Sequence, residues 1–216
     1  MKNIFKMSLF MPPISPIKDK KTGKVTQAAT LVPLQTVDLQ KVYQLITANE
    51  RLAKLTDDIR QAAERNDNDA CRIMKQQTLP YVTPCGIFSR RRSDCLTETS
   101  GLVVVDIDHL ESAEETELLR QQLFDDPYLK PALVFISPTG RGVKAFVPCA
   151  AGQHASDAVR WAMDYVHCMY DTDTPQTGKG VDTSGKDTVR ACFLCHDEGA
   201  LMRREGDNAG MCKLAN

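Results

Sequence analysis

The stretch from Gly101 to His109, GLVVVDIDH, constrains the fold of this chain more than any other. A mostly β-branched apolar run, preceded by a Ser-Gly pair and followed by a helix-forming segment, predicts a buried central strand. Side chains alternate along a strand, so we expect Asp106 and Asp108 on one face and Ile107 in the opposite packing layer. Two carboxylates on one face repel each other unless a positive group lies between them, and Mg²⁺ prefers carboxylate oxygen. The stretch therefore indicates a divalent-metal site, unless one Asp caps the following helix and the other is solvated.

The composition is that of an ordinary globular protein. The chain has 216 residues, of which 42% are hydrophobic and 25% charged, which suits one large domain or two small ones. The net charge is −1, so there is no global basic field, and any nucleic-acid binding must come from a local patch.

No segment approaches the ~20 apolar residues of a membrane span, so we expect no membrane partner. The apolar run at the N-terminus is broken by Lys6 and ended by Pro12, which favours a first strand over a signal peptide. We therefore expect a cytoplasmic location, in which the eight cysteines are reduced.

Hydrophobic periodicity and turn residues predict strands and helices in alternation along the chain. In the N-terminal third the predicted elements are a strand at 3–11, a hairpin with the basic tip Lys18–Lys24 and a return strand at 25–32, a helix starting at 36–38, a helix at 50–65 and a third from 66–69 through Met74. After the central strand they are a helix from the N-cap Ser112 to about Phe124, strands at 132–136 and 143–148, a helix at 154–170 and a strand at 188–194.

A glycine-rich turn, Ser-Pro-Thr-Gly-Arg-Gly from Ser137 to Gly142, joins two of these strands. It is not a Walker A loop, because the Gly-Lys-Ser/Thr ending is missing and no helix follows. Its glycines permit either close backbone approach to a ligand or simply the turn geometry. Lys144 lies just inside the next buried strand, where a lysine needs an anionic partner unless it snorkels to solvent from an edge strand.

Two further motifs are ambiguous. Arg90, Arg91 and Arg92 suit bidentate phosphate contacts, although three arginines on a loop are often solvated surface.

The segment from Cys192 to His196 matches C-x-x-C-H, the spacing of covalent haem attachment and of half a zinc site. It lies on an apolar strand, and neither an export signal nor a second Cys/His pair accompanies it. We therefore expect core cysteines and no haem.

The order of the motifs resembles the archaeo-eukaryotic primase superfamily, the primase-polymerase group. More narrowly, the chain is similar to the VirE N-terminal-type domains encoded by Bacteroides and their mobile elements. The similarity covers about residues 80–197. It rests on Asp106-x-Asp108, on Ser137-x-x-Gly140-x-Gly142-x-Lys144, on Asp182 before a strand with Arg190 following, and on the segment from Pro84 to His109.

The resemblance implies an α+β fold, with an antiparallel-rich RRM-like sheet and packed helices beside an N-terminal α/β unit. The expected division is an N-terminal unit at 1–80, a primase-like catalytic core at 81–197 and a polar tail or linker at 198–216, all in one compact domain.

The resemblance also implies a site. Asp106, Asp108 and Asp182 would be catalytic and would hold Mg²⁺ or Mn²⁺. The residues expected to bind the nucleotide are Ser137, Gly140, Arg141, Gly142, Lys144, Lys186 and Arg190. Lys144 stands where the superfamily has a histidine; lysine neutralises a triphosphate but does not act as a near-neutral acid or base. Arg90, Arg91 and Arg92, and the lysines of the 18–24 tip, would follow a nucleic-acid backbone.

The leading hypothesis is a metal-dependent primase/polymerase-like nucleotidyltransferase. It would act on nucleoside triphosphates and a DNA or RNA template in the replication of mobile or plasmid-like DNA, with an ATPase or helicase domain or protein as a candidate partner. One alternative is a catalytically inert nucleic-acid-binding module on the same fold. The other is a metal-dependent nuclease or phosphohydrolase, because Asp-x-Asp strands serve many phosphoryl chemistries.

Overall fold

The central strand predicted from the GLVVVDIDH stretch is present as β8, Leu102–Asp108, in a computed structural model that describes residues 5–150, 152–170, 180–181 and 187–203. The other strands are β1 Lys6–Phe10, β2 Ile17–Lys18, β3 Val25–Gln27, β4 Gln35–Asp38, β5 Tyr81–Thr83, β6 Gly86–Phe88, β7 Leu96–Thr99, β9 Leu133–Ile136, β10 Gly142–Pro148, β11 Gly180–Val181, β12 Cys192–Phe193 and β13 Leu201–Met202. The helices are α1 Leu39–Ala48, α2 Glu50–Glu64, α3 Asn68–Thr78, α4 Ala113–Asp125 and α5 Ala155–Tyr170. The predicted α+β class is confirmed.

One five-stranded sheet has the order β11-β8-β10-β9-β13, with every neighbouring pair antiparallel. Its first six elements along the chain, β8-α4-β9-β10-α5-β11, form the β-α-β-β-α-β arrangement expected for an RRM-like sheet. β13 extends the sheet beyond β9, with Leu201 opposite Val134. This strand corrects the expectation that the chain is a polar tail from residue 198 onward.

A second sheet belongs to the N-terminal unit and has the order β12-β5-β1-β4, again antiparallel. Its edge strand β12 comes from the other end of the described chain. The predicted strand at 188–194 is therefore shorter than expected, Cys192–Phe193, and joins the N-terminal sheet. β2–β3 and β6–β7 are separate two-stranded hairpins.

The two faces of the five-stranded sheet are covered by different partners. Val103, Val105 and Ile107 pack in a core with α4 and α5. Leu102 and Val104 pack in a second core with β1 and helices α1 and α2 of the N-terminal unit. This second core joins the segments 1–80 and 81–197, so the face that carries Asp106 and Asp108 looks toward the N-terminal unit.

Side-chain caps begin helices α1 to α4. Ser112 accepts a hydrogen bond from the N–H of Glu115 at the start of α4, which confirms the predicted N-cap. Asp38 caps α1 in the same way, so that helix begins at Leu39. Residues 35–38, where a helix start was expected, instead form β4 and pair with β1. Within the described residues, no helix is both long and apolar enough to span a bilayer.

Candidate functional site

One face of the five-stranded sheet changes from apolar to polar at the same end of three neighbouring strands. On β8 this face carries Leu102 and Val104 and then the two predicted carboxylates. On β10 and β9 the polar end holds Gly142, Lys144 and Ser137, beyond the apolar positions of Phe146, Leu133 and Phe135. These three strands therefore bring together five of the predicted site residues: Asp106, Asp108, Ser137, Gly142 and Lys144.

Lys144 is paired with Asp106. The two residues lie directly opposite each other in the β8–β10 register, and the Lys144 ammonium group donates to Oδ2 of Asp106. The side chains of Lys144 and Asp106 are only 7% and 14% exposed. Arg190 joins them, with its Nη2 3.9 Å from the same Oδ2. The anionic partner expected for Lys144 is thus the carboxylate that the sequence assigned to a metal.

The charged groups at this end of the sheet shift one another's pKa values. Burial alone would lower the pKa of Lys144, but the adjacent Asp106 carboxylate holds that pKa above the usual value for lysine. Burial, and then the charge of Asp106, raises the pKa of Asp108. Lys144 and Lys75 of α3 oppose that rise. A further positive charge beside Asp108 would therefore stabilise the ionised form of its carboxyl group.

The remaining oxygen of Asp106 identifies where such a charge fits. Oδ1 is buried and has no hydrogen-bond partner among the described residues, and an unpartnered buried oxygen is costly. A divalent cation held by Oδ1 and the Asp108 carboxyl would satisfy it, so the two residues fit a metal ion. No set of three or more His, Cys, Asp or Glu side chains in the described ranges is arranged to hold a metal. Asp106 and Asp108 are therefore a pair of candidate ligands.

Gly142 is required by the close approach of β8 and β10. It lies opposite Asp108, and a Cβ at this position would be 2.4 Å from the carbonyl oxygen of Ile107 and 3.0 Å from both Asp108 Oδ1 and Ser137 Oγ. Ser137 is buried, and its hydroxyl is 3.2 Å from that of Thr139. The glycine thus leaves room for the Asp108 carboxyl and the Ser137 hydroxyl side by side.

Gly140 and Arg141, also predicted to bind nucleotide, occupy the outer side of the same turn. Gly140 packs against Arg60 of α2, and both line a groove of about 380 Å³. Arg141 is exposed on this groove, and its carbonyl oxygen accepts a hydrogen bond from Leu110. The groove also carries Glu64, Glu111, Glu117 and Asp197, so Arg141 lies in a mixed-charge setting outside the Lys144–Asp106 pair.

The three consecutive arginines are not part of this cluster. Arg91 is half-buried, donates to the carbonyl oxygen of Ile14 at 2.8 Å, and lies over the Tyr81 ring. Arg92 pairs with Asp94, and Arg90 is exposed. Within the described part of the chain, no hydrogen bond or ion pair joins any of the three to Asp106 or Asp108. Their contact with nucleic acid stays a prediction.

Asp182 and Lys186, predicted as a metal ligand and a phosphate contact, lie outside the described residues. The element before them is β11, in which Gly180 pairs with Asp108 and Val181 with Ile107. β11 is thus the strand next to β8 on the side opposite Lys144.

Two residues near the pair were not predicted as site residues. Lys75 of α3 acts electrostatically on Asp108 and lowers the pKa of its carboxyl. The predicted third helix ran only through Met74, so Lys75 lay outside the elements predicted there. Cys192 was considered only in the C-x-x-C-H motif. Its thiol is buried beside Lys144 and Asp106, and burial raises its pKa to about 12. Cys195 is also buried and donates to the carbonyl oxygen of Ile136 at 3.0 Å, so both cysteines are core residues.

A family model matches part of the chain. The model described as "BT4734-like, N-terminal domain" matches residues 74–201. Those residues include the five-stranded sheet except Met202 of β13, together with β5 and β12 of the N-terminal sheet. No curated protein and no solved structure matches the chain. Because the family model covers more than half of the sequence, the chain belongs to the BT4734-like N-terminal domain family.

Proposed function

We propose that this domain binds a nucleoside triphosphate together with Mg²⁺ or Mn²⁺ and transfers nucleotidyl groups on a nucleic-acid template, in the replication of mobile or plasmid-like DNA. The observation that carries this proposal is the cluster at the polar end of β8 and β10. There two carboxylates share one sheet face with Lys144, and Arg190 lies 3.9 Å from Asp106. The motif order that resembles primase-polymerases supports the same reaction.

The metal would be held by Oδ1 of Asp106 and by the carboxyl of Asp108, because Oδ1 has no partner in the described chain and Asp108 is destabilised by its buried negative surroundings. A bound divalent ion supplies positive charge for the attacking and leaving oxygens of a phosphoryl transfer. Asp182 remains the predicted third ligand.

The chain's own cations would bind the triphosphate. Lys144 and Arg190 are largely withdrawn from solvent, at 7% and 16% side-chain exposure, and a charge interaction is stronger where water is excluded. Lys144 remains charged at neutral pH because its pKa is raised. It therefore stabilises phosphate charge and does not exchange protons with the substrate.

The first test is isothermal titration of the wild-type protein with a non-hydrolysable nucleoside triphosphate, in Mg²⁺, in Mn²⁺ and in EDTA. We expect metal-dependent binding that is lost in the Asp106→Asn/Asp108→Asn variant. The matched control is Asp57→Asn/Asp58→Asn, which removes the same charge from two exposed positions of α2 and should bind as the wild type does. Absence of nucleotide binding by the wild-type protein would overturn the proposal.

The Lys144–Asp106 contact favours one second candidate, a catalytically inert nucleic-acid-binding module, because an internal cation already neutralises one carboxylate. This candidate predicts oligonucleotide binding that persists in EDTA and in the Asp106→Asn/Asp108→Asn variant, with no incorporation of labelled nucleotide. The products of a primer-template reaction distinguish nucleotidyl transfer from nuclease activity. Extension supports nucleotidyl transfer, whereas shortening of the primer indicates a nuclease.

A further inference from the structure

The hairpin formed by β2 and β3 is a basic arm with little packing of its own. Among the described residues its strands pair only with each other, and every residue from 18 to 28 is exposed. It carries four lysines within seven residues: Lys18, Lys20, Lys21 and Lys24. In a chain whose net charge is −1, this is a pronounced local concentration of positive charge.

The one acidic residue among these lysines is engaged in the turn. Oδ1 of Asp19 accepts hydrogen bonds from the N–H groups of Lys21 and Thr22, at 3.0 and 2.6 Å, and from the Thr22 hydroxyl at 2.8 Å. Two backbone hydrogen bonds close the tip. The N–H of Asp19 donates to the carbonyl oxygen of Lys24, and the N–H of Gly23 donates to the carbonyl oxygen of Asp19, both at 2.9 Å. Asp19 thus organises the tip, and the lysines are presented on a defined ribbon.

Arg91 joins the base of this hairpin to the three-arginine segment. Its guanidinium donates to Ile14 at 2.8 Å and its backbone N–H to Leu31, also at 2.8 Å. Tyr81, beneath the guanidinium, donates its hydroxyl to the carbonyl oxygen of Thr30. The two basic segments, far apart in sequence, are therefore neighbours, and exposed Arg90 lies at the foot of the arm.

Further contacts fix the base of the hairpin against helix α3 and strand β5. The N–H of Ile14 donates to the carbonyl oxygen of Gln76 at 2.9 Å, and the Ser15 hydroxyl to its side chain at 3.2 Å. On β5, Tyr81 lies under Arg91, and this strand pairs with β12. Arg190, two residues before β12, lies 3.9 Å from Asp106. A continuous set of contacts thus leads from the base of the hairpin through Arg91, β5 and β12 to the polar end of β8.

We propose that the β2–β3 hairpin, with Arg90 at its foot, binds the phosphodiester backbone of the nucleic acid that enters the Asp106–Asp108 site. This inference rests on the proposed function for the identity of the strand. Lysines on a two-stranded ribbon neutralise backbone phosphates and release counterions, independently of sequence. The charged arm supplies the local basic patch that the overall charge of the chain does not.

The test is fluorescence anisotropy of a labelled 20-nucleotide single strand, titrated with the full chain at several salt concentrations. The variant replaces Lys18, Lys20, Lys21 and Lys24 with glutamine. We expect it to bind at least about 10-fold more weakly near 0.1 M salt, and to lower the slope of log K against log[salt] by about 3, since each phosphate contact on a single strand contributes about 0.7. The matched control removes four other exposed positive charges on or just after α1 and α2: Lys41, Arg51, Lys54 and Arg65.

Equal weakening in both variants, or none in the hairpin variant, would overturn the proposal. So would the absence of oligonucleotide binding by the wild-type protein at low salt. Polyglutamate at equal charge concentration is the competitor; if it displaces the strand as well as unlabelled oligonucleotide does, the arm recognises acidic polymers such as protein surfaces instead. A negative result in the separate nucleotide titration would overturn the proposed function and leave this binding result standing.

Discussion

Lys144 and Asp106 face each other across β8 and β10, 38 residues apart in sequence, and form an ion pair almost withdrawn from solvent. The register of two strands decides this pairing. A charge pair in such a position gains little net stability over apolar residues, but removal of one partner leaves the other charge buried and unpaired. The polar end of the sheet is therefore sensitive to single substitutions and tolerant of paired ones.

Lys144→Met should destabilise the protein by about 3–5 kcal/mol, because it leaves the Asp106 carboxylate buried without its main counter-charge. The Asp106→Asn/Lys144→Met double variant should be more stable than the sum of the single effects predicts, by about 0.5–3 kcal/mol. Urea unfolding of the wild type and three variants, in EDTA, measures this coupling. Additive effects would show that the pair contributes no interaction free energy.

Gly142→Ala should weaken both the sheet and nucleotide binding, because its Cβ would lie 2.4 Å from Ile107 O and 3.0 Å from Asp108 Oδ1. Overpacking of this kind costs about 1–3 kcal/mol. Gly152→Ala is the control: its φ is +77° and its Cβ meets no atom within 4 Å, so it tests backbone strain alone. Urea unfolding and nucleotide titration of both variants should show loss of affinity only in Gly142→Ala.

Asp126 should give the protein a stability that disappears in acid. Its carboxylate accepts hydrogen bonds from the N–H groups of Tyr128 and Leu129 and from the hydroxyls of Tyr165 and Tyr170. Burial acts to raise its pKa, but these bonds lower it below the usual 3.8. Because the folded-state pKa is lowered, the stabilisation is fully present well above pH 3.8 and is lost as the pH falls through the folded-state value.

We therefore expect Asp126→Asn to destabilise the protein by about 1–3 kcal/mol at pH 7, and by progressively less toward pH 3. Urea midpoints across this range measure the difference. Asp125→Asn, an exposed neighbour on α4, should change stability by less than about 0.5 kcal/mol at both pH values. A constant difference between wild type and Asp126→Asn would contradict the assigned pKa direction.

The cysteines should differ widely in reactivity. Burial raises the pKa values of Cys85 and Cys192 to about 12, and the thiolate is the reactive form. Cys168 on α5 is exposed. Alkylation with iodoacetamide at pH 8, followed by peptide mapping, should modify Cys168 well before Cys85 or Cys192, and denaturation should abolish the difference. Early modification of Cys192 would contradict its burial beside Lys144.

Local sequence patterns were enough to predict several elements of this fold. The apolar run of β8, the strand period that places Asp106 and Asp108 on one face, and the Ser112 cap of α4 are all present. These features depend on residues within one turn or one strand of each other. The resemblance added the RRM-like arrangement of β8 to β11, which strand order confirms.

Other features depend on contacts between distant segments. The helix start expected at 36–38 is instead part of strand β4, because residues 35–38 pair with β1. Asp38, the last residue of β4, caps α1, which begins at Leu39. The strand predicted at 188–194 is only Cys192–Phe193 in the structure, and it pairs with β5. Lys75 on α3 and Cys192 on β12 interact electrostatically with groups of the candidate site. The sequence marked Cys192 only as part of the C-x-x-C-H motif and did not mark Lys75.

The sequence by itself determined that Asp106 and Asp108 share a face and that a lysine at position 144 needs an anionic partner. Only the tertiary structure decided that this partner is Asp106, because the β8–β10 register places the two side chains opposite each other. Likewise the sequence showed two basic segments, and only the contacts of Arg91 with Ile14 and Leu31 make them neighbours. Periodicity and capping are local properties of a chain, whereas register and sheet order are set by burial of the whole core.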